Sequence, residues 1–394
     1  MSTLNAFAAA CACALFVQAA HAAPRIPASG SEVIERLPRR TDPAQQELRA
    51  LRAQLASRPN DVALATAVAR QHIATARRET DPRYYGYAQA ALAPWWTQAA
   101  PPLEVRLLRA TLLQSTHHFP EAMRDLDAVV AAAPDNPQAW LTRATVQTVR
   151  ADYDAATASC ARLSHLSSQL VSTACIAGIG AMTGRAAASE ALLELTLRRA
   201  ADADPELQVW ALTLLAEIAQ RRGEATLAET RFRRALALSP RDSYLLGAYA
   251  DFLLDAKRAG EVLVLLKDQG RIDGMLLRQA LAFKQLPGSA DAYARAAAEL
   301  RARFAAAMQR GDTVHQREQA RYELHVRANA TTALALALQN WAVQKEAADL
   351  HILLEAAQAA GNKATLKLAL DWAARHKLED VALQRIAHPP KAGA

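Results

Sequence analysis

Small and apolar residues recur through the middle of the chain at a fixed interval of thirty-four positions. The segments that begin at Leu103 and at Pro137 match at four places, which pair Ala110 with Ala144, Phe119 with Tyr153, Ala122 with Ala156, and Leu126 with Cys160. Within each interval the apolar positions follow helical spacing and fall into two blocks. The pattern therefore predicts a repeated unit of two packed helices, with alanine where the helices cross closely.

Further segments keep this register. Residues 209–242 are the clearest copy, because six of their positions carry the expected residues: Ala216, Gly223, Ala228, Phe232, Ala235 and Pro240. A weaker copy at 170–203 keeps Ala177, Gly184 and Leu193, and one at 243–269 keeps Ala250 and Leu253. This pattern resembles the tetratricopeptide repeat, a helix–turn–helix unit. The resemblance implies an all-α fold, an α-solenoid that coils as a right-handed superhelix.

Amphipathic helices are predicted on both sides of this core. They are expected at 43–58 and 62–79, and then in pairs formed by 289–310 with 313–328, within 331–358 and within 363–386. We therefore predict one solenoid of nine or ten helix pairs. Its parts are an N-terminal helical cap at 23–102, a repeat core at 103–283, C-terminal helical repeats at 284–387 and a disordered tail at 388–394. The only internal joint expected is KQLPGSAD, residues 284–291.

Five of the chain's twenty-one aromatic residues lie between residues 81 and 96, DPRYYGYAQAALAPWW. After a helix start at Asp81-Pro82, one helical face is formed by Tyr84, Tyr87, Ala88, Ala91 and Trp95. Pro94 is expected to end or kink this helix. The block is predicted to be the second helix of a repeat that packs on its neighbour, with Tyr85 and Trp96 exposed. A ligand-binding aromatic patch is the alternative.

The first twenty-two residues are uncharged, apolar and end in Ala20-His21-Ala22, a pattern typical of a secretory signal peptide. We expect cleavage near Ala22, a periplasmic or secreted protein, and no later membrane span. The net charge of +7 comes mostly from arginine, which we expect to be scattered over solvated helix faces. Because basic runs with interleaved aromatic residues are missing, nucleic acid is not an expected partner.

Motifs for catalysis or for cofactors are not found in the sequence. It has no metal-binding spacing of His and Cys and no nucleophile elbow, and the adjacent His117 and His118 are expected to lie in a solvated turn. The glycines of GIGAMTG at 178–184 follow no predicted strand, so they do not indicate a dinucleotide loop. We expect no cofactor, no bound metal, no small-molecule ligand and no enzymatic activity.

The resemblance to tetratricopeptide repeats implies a binding surface on the concave side. Positions of the first helices that usually face this surface are occupied here by Trp210, Thr213, Glu217, Gln220, Arg221, Tyr244, Asp251 and Asp255. Trp210 and Tyr244 share one position in adjacent repeats and should stand side by side. An aromatic pair flanked by carboxylates suits an extended peptide or a sugar chain. The alternative is that Trp210 packs against the loop at 201–206.

A second polar cluster is predicted near the C-terminus, where two helix pairs could bring together His315, Glu318, Asn340, Trp341, Gln344 and Asp349. Together with the aromatic block, these segments resemble uncharacterised exported tetratricopeptide proteins of Gram-negative bacteria, a resemblance that implies no known activity. The cluster is either a site or a buried hydrogen-bond network between repeats.

Three functions are compatible with these features. We favour a periplasmic, non-catalytic scaffold that binds a protein or peptide of the cell envelope along its concave face. The alternatives are a polysaccharide-processing protein with a site at 315–349, and a carbohydrate-binding module that uses Trp210 and Tyr244.

Two cysteines, Cys160 and Cys175, lie beyond the predicted cleavage site, in neighbouring helices separated by one turn. Because an exported protein folds in an oxidising compartment, we predict that they form a disulfide. Two buried thiols are the alternative.

Overall fold

The computed structural model describes residue 29 and residues 43–312 and 314–387. The predicted signal peptide at 1–22 and the predicted tail at 388–394 lie outside these residues. The chain divides into two units, Met1–Arg49 and Ala50–Ala394, and the features discussed below belong to the second. Its described residues are helical or irregular and contain no strand. None of the described helices is both long enough and apolar enough to cross a membrane.

Twenty-one α-helices are described. In chain order, α1 to α21 are Pro43–Ser57, Val62–Glu79, Arg83–Ala91, Ala93–Trp96, Leu103–Ser115, Phe119–Ala132, Pro137–Val149, Tyr153–Arg162, Gln169–Met182, Ala186–Arg199, Pro205–Arg221, Ala225–Leu238, Ser243–Asp255, Ala259–Leu265, Asp273–Gln285, Ala290–Gln309, Gln316–His325, Ala330–Val343, Ala347–Ala359, Lys363–Arg375 and Val381–Ala387. Eighteen of them pack as nine consecutive pairs, with α1, α4 and α21 outside these pairs, so the described chain is a tetratricopeptide-like α-solenoid.

The turn inside each core pair has the same backbone geometry. The fifteenth residue of five successive repeats adopts a positive φ, and these residues are His117, Ala151, Gly184, Gly223 and Lys257. A single left-handed residue reverses the chain after the first helix, which explains why glycine occurs at two of the five places. The turn recurs at intervals of 34, 33, 39 and 34 residues, which supports the register derived from the sequence.

The residues that define the repeat form its core. At the eighth position, Ala110, Ala144, Ala177, Ala216 and Ala250 are each at most 1% exposed, which allows the two helices of a pair to approach closely. Four of the five residues at the twenty-fourth position are also fully buried hydrophobic groups of larger size: Leu126, Leu193, Phe232 and Leu266. Small side chains at the eighth position and large ones at the twenty-fourth therefore allow the two helices of each pair to pack together.

Beyond residue 270 the pairing differs from the prediction. The sequence pattern predicts no helix for α15 and pairs 289–310 with 313–328. In the structure α15 packs on α16, and α17 packs on α18. Leu277 and Ala280 of α15 meet Leu300 and Phe304 of α16 in one apolar cluster. The segment at 284–291 is consequently a turn within a packed pair rather than a joint between two parts.

The C-terminal helices fold back onto the repeat core. One apolar cluster joins Tyr153 and Ile179 of the core with Trp341, Leu353 and Trp372 from α18 to α20. The two tryptophan rings meet edge to face with centroids 5.0 Å apart. The last helix pairs therefore cover core surface that lies about 150 to 200 residues earlier in the chain, a contact that the repeat pattern does not predict.

Hydrogen bonds also join the C-terminal segments to the repeat core. The backbone nitrogen of Lys345 donates to the carbonyl oxygen of Val149 at 2.7 Å. The Glu379 carboxylate accepts from the backbone nitrogen of Ala186, 3.0 Å away, at the start of α10. A carboxylate at that place satisfies a free backbone donor and complements the positive end of the helix.

The aromatic block at 81–96 is mainly part of the core, with two corrections. Ala88, Leu92 and Trp95 are buried, whereas Tyr87 is 53% exposed although it was assigned to the packed face. Tyr85 and Trp96, expected to be exposed, are partly buried against the same cluster. For Trp96 the reason is that the helix ends at Ala91 and restarts at Ala93, so this residue no longer follows the spacing of those before the break.

Candidate binding groove

Two exposed aromatic side chains mark the predicted concave surface. Trp210 on α11 is 37% exposed and Tyr244 on α13 is 61% exposed, although both belong to helices whose other large residues are buried. The Tyr244 hydroxyl donates to a Glu217 oxygen at 2.8 Å, which ties the two first helices together at this surface. The neighbouring Glu217 carboxylate raises the pKa of Tyr244 well above its usual value. The tyrosine is therefore a neutral hydrogen-bonding group.

Further along the same surface, Gln220 donates to a carboxylate oxygen of Asp255 at 3.4 Å, again between α11 and α13. Arg221 follows at the end of α11, and its Nε is buried without a hydrogen-bond partner. The concave surface thus presents Trp210, Glu217, Gln220, Arg221, Tyr244 and Asp255. We call these six residues the groove row.

Thr213 does not belong to the groove row. It is only 4% exposed, and its hydroxyl donates to the carbonyl oxygen of Val209 one turn earlier. The side chain satisfies its own polar group within the helix and packs its methyl into the core, so it offers nothing to a ligand. The position pattern of the repeat family assigned it to the surface, and the rotation of α11 places it inside.

Asp251 faces the groove but is already paired. One oxygen accepts from Arg278 at 2.5 Å, and its carboxylate also accepts from Arg321 of α17 at 2.9 Å and 3.3 Å. These two guanidinium groups hold its pKa at about 2, against the opposing effect of burial. Asp251 is therefore a structural link between the core and the C-terminal helices rather than a free contact for a partner.

The C-terminal helices α17 and α19 form the opposite wall of the groove. Their charged side chains lie close enough to shift the titration of the groove row: Glu346 and Arg317 act on Glu217, and His351, Arg321 and Glu355 act on Asp255. Removal of water by the surrounding protein raises the pKa of Glu217 and raises that of Asp255 to about 6, although Asp255 keeps an exposed side chain. We call the polar surface between the groove row and these two helices the channel, and the ion pair between Asp251 and Arg321 crosses it at 2.9 Å.

A cavity of about 260 Å³ lies at the junction between the first core repeats and the C-terminal helices. Its core side is formed by Gln114, His117, Phe119 and Val149, and its other side by Val314, His315, Arg317, Glu318, Gln344 and Glu346. Burial lowers the pKa of His117, so its imidazole is neutral near pH 7. His315, Glu318 and Gln344 of the second polar cluster are therefore brought together around one cavity.

The remaining members of that cluster are structural. Asp349 is 1% exposed and accepts from Asn340 at 2.8 Å, from Gln344 at 3.1 Å and from the backbone nitrogen of Glu346 at 2.8 Å. These bonds cap the start of α19, and the buried Trp341 packs in the apolar cluster below. A carboxylate with this many donors is saturated. The structure thus supports a hydrogen-bond network for Asn340, Gln344 and Asp349, and apolar packing for Trp341.

The structure joins Cys160 and Cys175 by a disulfide, with Cα atoms 5.7 Å apart. The bond links α8 to α9, and both residues lie in the apolar cluster that the C-terminal helices cover. The loop that it closes passes through the short 3₁₀ turn Leu163–His165.

Among the described residues, His, Cys, Asp and Glu do not form a group of three that could hold a metal ion. Three arginines that pair with predicted site residues were not themselves predicted. Arg278 and Arg321 pair with Asp251, and Arg317 pairs with Glu318 and Asp349. Their facing position depends on how the solenoid closes, which no local pattern encodes. Their one visible signal is a run of arginine and glutamate on α17, at a spacing that places Arg317 and Arg321 on one helix face.

No family model matches the chain, and no curated protein matches it. Several solved structures do. A tetratricopeptide repeat protein from Parabacteroides merdae is 14% identical, with 78% of this chain and 98% of that chain covered and a TM-score of 0.35. A human IFIT1 dimer with m7Gppp-AAAA is 13% identical, with coverage of 85% and 86% and a TM-score of 0.40. The P58(IPK) tetratricopeptide domain is 14% identical, with coverage of 85% and 93% and a TM-score of 0.22. At these levels the likeness carries no information about what this chain binds.

Proposed function

We propose that this chain is a non-catalytic helical-repeat scaffold that binds an extended segment of a partner protein in the channel between the groove row and helices α17 and α19. The observation that carries the proposal is the exposed pair of Trp210 and Tyr244, which lies beside the polar residues Glu217, Gln220 and Asp255. Large exposed aromatic side chains are the residues most often found to dominate the binding energy of protein interfaces.

The chemistry of the channel favours binding over catalysis. The strongly shifted carboxyl groups accept hydrogen bonds from other residues, Asp349 from Asn340 and Gln344 and Asp255 from the Gln220 amide. A polysaccharide-processing site at 315–349 would need a free acid–base pair, and Arg317 is shared there among Glu318, Glu346 and Asp349. Binding of a partner requires only the exposed rings and hydrogen-bonding groups of the groove row.

We also propose that the protein acts in the periplasm, from the signal-like sequence before Ala22. Expression of the full chain in a Gram-negative host, followed by fractionation and N-terminal sequencing, tests this location. Recovery of a periplasmic form that begins just after Ala22 supports it. Recovery of the intact chain in the cytoplasm would contradict it.

The binding proposal is tested by the double substitution of Trp210→Ala and Tyr244→Ala. We expect the variant to lose proteins that the unchanged protein captures from a periplasmic extract, because both exposed rings are removed. Its melting temperature should stay nearly unchanged, since neither ring is buried. Tyr87→Ala, which removes an equally exposed ring from α3, is the control and should capture the same proteins as the unchanged protein.

Three results would contradict the proposal. Unfolding of the double variant would show that the rings belong to the core. Unchanged capture would show that the partner binds elsewhere. Retention of glycans without any protein would favour the carbohydrate-binding alternative.

A further inference from the structure

The cavity between the first core repeats and the C-terminal helices is not used by the proposed function. One side of it comes from α5 to α7, and the other comes from α17, the residues just before α17 and the segment between α18 and α19. Its volume of about 260 Å³ lies just below the range of ~300 to 1,000 Å³ that is typical of pockets for drug-sized ligands. The cavity therefore has the size of a site for a smaller molecule, such as one sugar ring.

Three side chains on the wall of this cavity have hydrogen-bonding atoms that the protein does not use. They are Gln114, His117 and His315, which are all partly buried and form no side-chain hydrogen bond or ion pair within the described part of the chain. One oxygen of Glu318 lies 3.5 Å from the Nε of Arg317, at the limit of a hydrogen bond. A polar group that is partly removed from water gains free energy when a ligand supplies its missing partner.

The unused atoms include both donors and acceptors. The amide of Gln114 has two N–H donors and one carbonyl acceptor, and the neutral imidazole of His117 has one of each. A hydroxyl group also both donates and accepts, so neighbouring hydroxyl groups of one molecule can pair with all of these atoms. Val149 and Val314 add apolar surface to the wall, on which the C–H groups of such a molecule can pack.

The charges at the cavity are balanced within the protein. Three cationic side chains and three carboxylates lie on the wall or within electrostatic range of it: Arg317, Arg278, Lys345, Glu318, Glu346 and Asp349. Nη1 of Arg317 lies 2.9 Å from a Glu346 oxygen and 3.4 Å from an Asp349 oxygen. Arg278 is within range of Glu318, and Lys345 is within range of Asp349.

The charged groups around these six residues also occur in pairs of opposite sign. The three pairs are Glu217 with Arg221, Asp152 with Arg150, and Asp251 with Arg321. A charged ligand would therefore lose its hydration without meeting an unpaired charge of opposite sign, which costs free energy. A neutral ligand avoids this cost.

We propose that the cavity binds one neutral, hydroxyl-rich molecule of the size of a single sugar ring, either free or as the end of a glycan chain. In this site Gln114, His117 and His315 exchange hydrogen bonds with the hydroxyl groups, and Glu318 accepts one. The site is separate from the exposed pair of Trp210 and Tyr244, so it goes beyond the proposed binding of a partner protein.

The test measures the affinity of the full chain for small sugars by ligand-observed NMR titration. The neutral probes are glucose, galactose, mannose and N-acetylglucosamine, and we expect at least one to bind with a Kd of the order of 1 mM, as suits a molecule of this size. Glucosamine and glucuronate carry one positive and one negative charge on the glucose ring. Both should bind at least about tenfold less tightly than the best neutral sugar, because the charge is not compensated.

The variant with Gln114→Leu and His315→Leu removes two of the unused groups at similar volume. We expect its affinity for the best sugar to fall at least about tenfold. The side chain of His315 makes no cap bond to α17, so its loss should leave the melting temperature nearly unchanged. His315→Leu alone should also weaken binding, and it leaves α5 intact if the double variant unfolds.

The matched control is the variant with His165→Leu and Gln169→Leu. Both residues are exposed, lie outside the cavity wall and form no side-chain hydrogen bond within the described residues. Sugar affinity should therefore stay unchanged. The methyl glycoside of the best sugar separates the two sources of the ring, because it should bind as well as the free sugar if the site accepts the end of a glycan and much less well if it accepts only the free sugar.

Four results would overturn the proposal: no binding of any neutral sugar, tighter binding of glucosamine or glucuronate, unchanged affinity in both cavity variants, or loss of sugar binding in the variant with Trp210→Ala and Tyr244→Ala. The last result would place the sugar at the aromatic pair instead. Capture of a protein partner is measured separately, so the scaffold proposal can fail while sugar binding persists, or the reverse.

Discussion

Buried ion pairs connect helices of this solenoid at places where polar side chains lie in the core. Arg109 of α5 donates both to Asp125 of α6, with two bonds of 2.7 Å, and to the carbonyl oxygens of Trp96 and Gln98. The guanidinium group thus joins one pair to the segment before it. The sequence shows an arginine and an aspartate on amphipathic helices, a pattern that is ordinarily read as solvated, so only the structure identifies them as core residues.

Asp125→Ala should lower the free energy of unfolding by about 3 kcal/mol or more, because it leaves the Arg109 charge buried and unpaired. Urea denaturation followed by circular dichroism measures this change. Asp127→Ala on the same helix is the control, because its carboxylate is 55% exposed and pairs with Arg143 at 2.8 Å. It should cost less than about 1 kcal/mol. Equal losses in the two variants would show that Arg109 keeps access to water.

At the scale of helices, the sequence predicted most of what the structure contains. The small residue at the eighth position, the large one at the twenty-fourth and the turn at the fifteenth are local requirements of two packed helices, so they recur visibly. After residue 270 the sequence no longer matches the repeat register. The reason is that α14 has only seven residues, so the next repeat does not start at the expected place. The groove row is predicted from the same register as the repeat, whereas Thr213 is buried because a small rotation of a helix decides which neighbour is exposed.

The disulfide between α8 and α9 is expected to contribute about 3 kcal/mol to stability, from the fifteen-residue separation of its cysteines. Addition of reductant should shift the urea transition of the unchanged protein by this amount. The variant with Cys160→Ala and Cys175→Ala should show a similarly lowered transition that reductant does not alter, which separates the bond from the packing of the side chains. Two alkylatable thiols in unfolded protein that was never reduced would show that the bond does not form.

At the scale of the whole second unit, the decisive feature is the contact of the C-terminal helices with the core. The partners of this contact are far apart in sequence, such as Ala186 and Glu379, and each segment taken alone satisfies an ordinary helical pattern. No periodicity of the sequence relates these two distant segments to each other. This is why the sequence could predict one wall of the channel, through the resemblance of its repeats, and could not predict the other.

Gly184→Ala should disturb this contact. Gly184 has a φ of +73°, and a Cβ atom added there would lie 2.8 Å from the Cβ of Lys377. Gly288 has a similar φ of +77° with open space around it, so Gly288→Ala isolates the backbone strain, about 1 kcal/mol. We expect Gly184→Ala to cost about 2 kcal/mol more than this control in urea denaturation, because the turn at 376–381 must move. Equal costs would show that this turn does not lie against the core.

The contact between the C-terminal helices and the core also changes the order in which the protein can fold. In an open solenoid each repeat contacts only its neighbours, so folding can spread along the chain as the repeats emerge. Here the surface around Tyr153 and Ile179 is covered by Trp341 and Trp372, which are made nearly two hundred residues later. A chain that is made from its N-terminus therefore exposes an apolar surface until its last helices arrive. During that interval the surface is open to aggregation or to capture by a chaperone.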